Sequence, residues 1–169
     1  MLIVPNLDLG HPQAVMQIKI ICIGKLKKSY WQDAAAAYIR RLDSFFSLTL
    51  FELKDGPGHL SPQDRMQAEA RSILAKTSAQ DMLICLDSAG KPLSSPSLAS
   101  KLQSWLEEPG RIPCFILGGA YGLAKELTAR STMLLSFGPM TLPHELARIV
   151  LLEQLYRATA IMHNHPYHH

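Results

Sequence analysis

Residues 135–158 have the sequence LSFGPMTLPHELARIVLLEQLYRA, which predicts the end of a strand, a short loop and a long helix. Gly138 and Pro139 end the apolar run before them, and Pro143 suits a helix start. The predicted helix runs from Pro143 to about Met162 and has apolar residues on more than one face, whereas a surface helix needs only one apolar stripe. We therefore expect this helix to pack on a sheet and also on a second subunit.

The rest of the chain alternates between strand and helix patterns. Apolar runs predict five strands, at residues 17–23, 47–54, 81–86, 113–117 and 132–137. Capping and helical-spacing signals predict four further helices, at residues 30–42, 61–76, 95–108 and 123–130, and residues 87–90 are predicted to form a loop. This alternation indicates a mainly parallel α/β sheet with helices on both faces, and ligands of such sheets bind beyond the carboxyl ends of the strands.

Composition narrows the class of protein only moderately. The 169 residues and 47% hydrophobic content suit one domain, and the net charge of +3 is compatible with an RNA partner without requiring one. Cys22, Cys85 and Cys114 lie in separate apolar runs, which predicts buried, reduced core residues in a cytoplasmic protein. No segment approaches the roughly 18 uninterrupted apolar residues of a membrane span, so we expect a soluble protein.

Three loops at strand ends are expected to converge: the loop after Leu86, the loop 118–122 and the loop 137–142. Gly118-Gly119 removes side chains where a flat ligand can approach the main chain, although a turn that needs positive φ uses glycine as well. The spacing fits neither GxGxxG nor GxxxxGK[ST], which disfavours a dinucleotide or a nucleoside triphosphate. A different ligand is therefore expected.

The loop 137–142, which contains Pro139 and is followed by Pro143, suits an adenine held by main-chain hydrogen bonds. Phe137, Met140 and Leu142 would supply apolar walls, and the alternative is that Met140 and Leu142 are simply core residues.

The carboxyl-terminal residues 163–169 include four histidines. A purification-tag remnant, an adventitious metal site and an active-site tail all fit this pattern, and metal is disfavoured because no HExxH or CxxC spacing accompanies it. Arg157, on the last helix, is either a site residue or the partner of Glu153 in a weak i,i+4 surface pair.

Taken together, residues 16–169 resemble the RlmH family of SPOUT methyltransferases. MQIKIICIGKLKKSYW at 16–31 is similar to the family's amino terminus, and ILGGAYGL, the stretch 135–158 and the terminal NHPYH follow in family order and spacing. The resemblance makes 16–169 a single methyltransferase domain and leaves 1–15 as an extension that we expect to be poorly ordered. One departure is His168-His169 at the end, where relatives place a basic residue after the histidine, so the last position tolerates change or contacts phosphate less strongly.

The resemblance implies a parallel five-stranded sheet with helices on both faces, a carboxyl-terminal trefoil knot, a homodimer, and S-adenosylmethionine bound in the knot. It implies methylation of N3 of a pseudouridine in a hairpin of large-subunit (23S) rRNA, within an assembled ribosome or subunit, without a metal. Carried over by position, the cofactor-binding residues are Leu86, Gly118, Phe137, Gly138, Pro139, Met140, Thr141 and Leu142. The catalytic residues are Arg157, His165 and Tyr167, with the tail of one subunit completing the site of the other.

Several alternatives stay open at this level. The proton acceptor is a neutral His165, Tyr167 or a water, and Arg157 either stabilises charge on the base or holds a phosphate. A basic group of residues is expected to position RNA or else to form a solvated face: Lys25, Lys27, Lys28, Arg40 and Arg41. Two other functions compete, namely methylation of tRNA by the same chemistry and non-catalytic binding of an adenine nucleotide by a regulatory module.

Overall fold

The computed structural model describes residues 16–164 as a five-stranded parallel sheet flanked by helices. The extension 1–15 and the tail residues 165–169, including His165 and Tyr167, lie outside the described residues. The strands are β1 (Gln17–Ile23), β2 (Ser47–Leu53), β3 (Asp81–Pro92), β4 (Ile112–Leu117) and β5 (Met133–Ser136), in the order β2-β1-β4-β3-β5. All four pairings are parallel, as predicted. The threading of the expected trefoil knot stays a prediction.

Helices cover both faces of the sheet. They are α1 (Ser29–Leu42), α2 (Pro62–Leu74), α3 (Ser95–Glu107), α4 (Lys125–Arg130) and α5 (His144–Met162). Buried residues of α1, α3 and α5 form one core with one face of the sheet, and those of α2 and α4 form a second core with the other face. The fold is therefore a three-layer α/β sandwich.

β1 shows why the isoleucine-rich run is a central strand. Ile18, Ile20 and Cys22 face the core under α1, α3 and α5, whereas Ile21 and Ile23 face the core under α2 and α4. Successive side chains alternate across a strand, so a strand covered on both faces needs a continuous apolar sequence.

The three cysteines confirm the predicted core positions. Cys22, Cys85 and Cys114 are free and fully buried. Burial raises the pKa of each thiol to about 12, so all three are neutral at physiological pH.

The prediction that residues 87–90 form a loop after the third strand is wrong, because β3 continues to Pro92. Leu86 and Lys91 both pair with Leu135, so the residues between them form an irregularity inside the strand. Gly90 permits this path because a Cβ there would lie 2.7 Å from the backbone carbon of Leu134. The other boundaries differ by one or two residues; for example, Ser94 rather than Ser95 caps α3 by accepting from the backbone N–H of Ser97.

Arg148 is the largest polar side chain in the interior, with 1% exposure. Its guanidinium donates to Glu52 Oε1 of β2 at 2.5 Å and to the carbonyl of Gly24, at the end of β1, at 2.6 Å. A buried arginine must be matched by hydrogen-bond acceptors, because leaving it unpaired costs several kcal/mol. Arg148 therefore fixes the first turn of α5 against the carboxyl ends of β1 and β2.

We predict that Arg148→Met lowers the free energy of unfolding by about 2–4 kcal/mol, because Glu52 and the Gly24 carbonyl lose their shared donor. Urea denaturation followed by circular dichroism measures this loss. Arg130→Met is the matched control, since Arg130 forms an exposed 4.0 Å pair with Glu126 and its replacement should change stability by less than about 1 kcal/mol. Equal stability of the two variants would contradict the anchoring role of Arg148.

Candidate functional site

A cavity of about 540 Å³ opens beyond the carboxyl ends of β3, β4 and β5, where α5 begins. Its volume lies within the range of small-molecule sites, about 300–1,000 Å³. Three segments form its wall: residues 86–88 after the regular part of β3, residues 117–122 after β4, and residues 135–147 from β5 into α5. The three loops that the sequence predicted to converge therefore meet at this cavity.

Almost all of the predicted cofactor residues contact the cavity. Those that line it are Leu86, Gly118, Phe137, Gly138, Met140, Thr141 and Leu142. Pro139 is not among the lining residues. Met140 is 78% exposed, so the alternative that it belongs to the core is wrong, whereas Leu142 is half-buried in the wall. Their role in binding stays a prediction.

The loop after β4 folds back on itself because its glycines allow close contact. A Cβ at Gly118 would lie 2.6 Å from the carbonyl oxygen of Gly122, and Gly119 pairs with Gly122 across the turn. Gly122 itself has a φ of +82°, which favours glycine. The glycine-rich loop is therefore a tight turn, and Gly118, Gly119 and Gly122 line the cavity.

Helix α2 supports this turn from below. The carboxylate of Glu69 is buried, accepts a 2.9 Å hydrogen bond from the backbone N–H of Gly56, and would lie 2.9 Å from a Cβ at Gly119. One turn earlier, the guanidinium of Arg65 lies 5.2 Å from the ring centroid of Tyr121. Sequence reasoning missed Glu69, because a glutamate on an amphipathic helix is ordinarily solvent-facing.

Ser136 anchors the loop after β5. Its hydroxyl accepts from the backbone N–H of Gly138 at 3.0 Å and lies within 3.3 Å of the carbonyl oxygens of Gly138 and Ser88. Gly138 has a φ of +115°, a conformation that L side chains rarely adopt. Ser136 was not predicted either, since nothing distinguishes it from other serines at strand ends.

Arg157 is not brought to the cavity of its own chain. It lies three turns along α5 and forms an ion pair with Glu153 at 2.7 Å, so the predicted i,i+4 pair is present. Arg157 has further interactions in addition to this pair.

The basic residues predicted to position RNA are divided between two places. Lys25, Lys27 and Lys28 are exposed on the loop between β1 and α1. The backbone N–H of Lys27 donates to Glu145 Oε1 at 2.8 Å, which ties this loop to the start of α5 beside the cavity. Arg41 instead lies over the rings of Tyr38 and Tyr156, at 5.6 and 5.3 Å.

Within residues 16–164, no group of three or more histidine, cysteine or acidic residues is arranged to hold a metal ion. No helix in the same range is long and apolar enough to cross a membrane.

Comparison with known proteins adds the family. A family model described as "Predicted SPOUT methyltransferase" matches residues 16–168. The chain belongs to the SPOUT methyltransferase family. This SPOUT methyltransferase is 46% identical over 153 residues to a protein of Maridesulfovibrio salexigens named ribosomal RNA large subunit methyltransferase H, covering 90% of this chain and 98% of that protein.

A relative of the same name from Desulfovibrio desulfuricans is 44% identical over 152 residues, covering 90% of this chain and 97% of the relative. Among solved structures, a ribosomal RNA small subunit methyltransferase E from Neisseria gonorrhoeae bound to S-adenosyl methionine matches with a TM-score of 0.45 at 11% identity. That match covers 82% of this chain and 65% of the other.

Gly118→Ala should weaken binding of the expected cofactor, S-adenosylmethionine, by about tenfold or more, since overpacking against rigid backbone costs about 1–3 kcal/mol. Isothermal titration calorimetry measures the affinity. Gly58→Ala is the control, because a Cβ at Gly58 meets no atom within 4 Å and its affinity should equal that of the wild type. Wild-type affinity in Gly118→Ala would show that the turn is not needed for binding.

Proposed function

We propose that this protein transfers a methyl group from S-adenosylmethionine to N3 of a pseudouridine in large-subunit rRNA, in the cytoplasm. The observation that carries the proposal is the meeting of the three predicted cofactor loops at one cavity, in a chain that is 46% identical to a ribosomal RNA large subunit methyltransferase H. Family membership supports the chemistry, and the names of the relatives support the substrate.

The cavity suits the proposed methyl donor. Leu86, Phe137 and Leu142 provide apolar surface for an adenine, and the glycine turn and the loop anchored by Ser136 line the same cavity. When bound, S-adenosylmethionine supplies an electrophilic methyl group on a sulfonium. The protein supplies orientation and exclusion of water around that group.

On the substrate side of the site, Arg157 does not line the cavity of its own chain. In the proposal Arg157, His165 and Tyr167 act on the base, and the tail of one subunit completes the site of its partner. Helix α5 supports a homodimer, because apolar residues continue around it and several of them, including Ile149, Val150 and Ile161, are only half-buried in the single chain. Val150 and Arg157, which are two turns apart, lie on the same side of the helix and are half-buried.

Substrate recognition follows from charge and size. The exposed Lys25, Lys27 and Lys28 beside the start of α5 provide a small basic surface for RNA phosphates. With a net charge of only +3, this surface should bind free RNA weakly, so we propose that the substrate is a hairpin presented by an assembled ribosome or subunit.

Transfer of tritiated methyl from S-adenosylmethionine should be detected with large subunits or ribosomes that lack the modification, and less efficiently with naked rRNA. Mass spectrometry of the product should locate the label on a pseudouridine. A substrate with uridine at that position is the matched control and should not be labelled at N3. If only tRNA is labelled, the proposed rRNA substrate is wrong and the enzyme methylates tRNA. If the protein binds ATP and transfers no methyl group, it is a regulatory module instead.

If each active site is formed by two subunits, two inactive variants with different defects should restore activity when they are mixed. Gly118→Val should abolish cofactor binding and Tyr167→Ala should remove a tail residue, so each homodimer should be inactive. Mixed dimers contain one intact composite site, and equal mixing should restore about a quarter of the wild-type activity.

Sedimentation of each variant is the control for dimer assembly. If the mixture of two dimeric variants stays inactive, the tail does not act across the interface. If the wild type sediments as a monomer, the proposed homodimer is overturned.

A further inference from the structure

His144 is a cavity residue that the predicted site does not include. It is the first residue of α5, and its half-buried side chain lines the cavity together with Leu142 and Ala147. Within residues 16–164, neither of its ring nitrogens has a hydrogen-bond partner. Since a half-buried imidazole usually satisfies at least one ring nitrogen, this side chain is available to a bound molecule.

The position of the imidazole is fixed by Gly24. Gly24 has a φ of +81°, and a Cβ at this residue would lie 3.3 Å from His144 Nε2, so the missing side chain leaves space for the ring. The backbone of Gly24 is held on both sides: its N–H donates to the carbonyl of Leu53 at 2.8 Å, and its carbonyl accepts from Arg148 at 2.6 Å. Arg148 lies one turn after His144, so the contact that anchors α5 also holds the imidazole over Gly24.

The carboxylate of Asp55 lies near the imidazole and has no hydrogen-bond or ion-pair partner among residues 16–164. Asp55 Oδ1 lies 3.5 Å from the same Cβ position at Gly24 that is 3.3 Å from His144 Nε2. Two other carboxylates at this end of the sheet and α5 have partners: Glu52 accepts from Arg148, and Glu145 accepts from the backbone N–H of Lys27. Asp55 is therefore the acidic group that can stabilise a positive charge on His144.

We propose that His144 is the proton acceptor of the methyl transfer, with Asp55 stabilising the resulting imidazolium. This inference rests on the proposed function. The N3–H bond of the base breaks and its proton moves to the neutral imidazole. N3 uses the freed electron pair to bond the methyl carbon, while the methyl–sulfur bond breaks and its electron pair stays on sulfur.

The central test replaces His144 with glutamine, which keeps hydrogen-bonding groups but cannot take up a proton. Single-turnover transfer should fall by about 10²–10⁴-fold, whereas the affinity for S-adenosylmethionine measured by calorimetry should stay within about threefold. His59→Gln, in an exposed loop, is the matched control and should behave as the wild type.

Asp55→Asn provides a second, independent test, because Asp55 is exposed and its replacement should not affect folding. Loss of its negative charge should lower the single-turnover rate by about tenfold, while the affinity for S-adenosylmethionine should stay within about threefold. Because Asp55 acts through the imidazole, Asp55→Asn should have no further effect in the His144→Gln variant. An unchanged rate in Asp55→Asn alone would overturn the role of Asp55.

The outcomes separate the two proposals. Absence of transfer by the wild-type enzyme on ribosomal substrates would overturn the proposed function itself. If the wild type transfers the methyl group and His144→Gln keeps the wild-type rate, only the role of His144 is overturned and the acceptor lies in the tail or is a water. If His144→Gln instead loses cofactor affinity in step with its rate, His144 is a cofactor-binding residue and not the proton acceptor.

Discussion

The site depends on the hydrogen bonds that the buried guanidinium of Arg148 donates to Glu52 and to the Gly24 carbonyl. Removing this charge from water is tolerable only where acceptors meet it, and the ends of β1 and β2 provide them through the Gly24 carbonyl and Glu52. Arg148 is the fifth residue of α5, so the hydrogen bonds of its two terminal guanidinium nitrogens fix where the helix begins. The preceding loop, residues 137–143, must then lie beside the ends of β3 and β4, and a cavity forms between them.

Close contacts between backbone segments give this cavity its shape. Gly118 touches the carbonyl of Gly122, Gly119 rests on the carboxylate of Glu69, and Gly90 lies against β5, and at each place a Cβ would meet an atom at less than 3.0 Å. Backbone that packs this tightly has few alternative conformations. A site made in this way can offer main-chain groups in fixed positions, which suits the donor proposed for this SPOUT methyltransferase.

The two sides of the proposed reaction have different origins. The three predicted cofactor loops all lie within residues 86–147 of one chain, whereas Arg157 forms an ion pair with Glu153 away from that cavity. His144 and Arg157 lie on the same helix, α5. In the proposed function, one chain binds the donor and a partner subunit completes the substrate site.

The sequence by itself determined the elements, their parallel α/β arrangement, the three loops and the family, because these depend on local patterns of apolar, glycine and proline residues. Only the tertiary structure decided the roles of Glu69, Ser136 and Arg148, the path of β3 past Leu86, and the distance of Arg157 from the cavity. Arg148 and Glu52 are 96 residues apart in the chain, and no local pattern in either segment indicates the other. A buried polar contact is specified by the partner that folding brings to it, so its residue types carry no signal until the chain is packed.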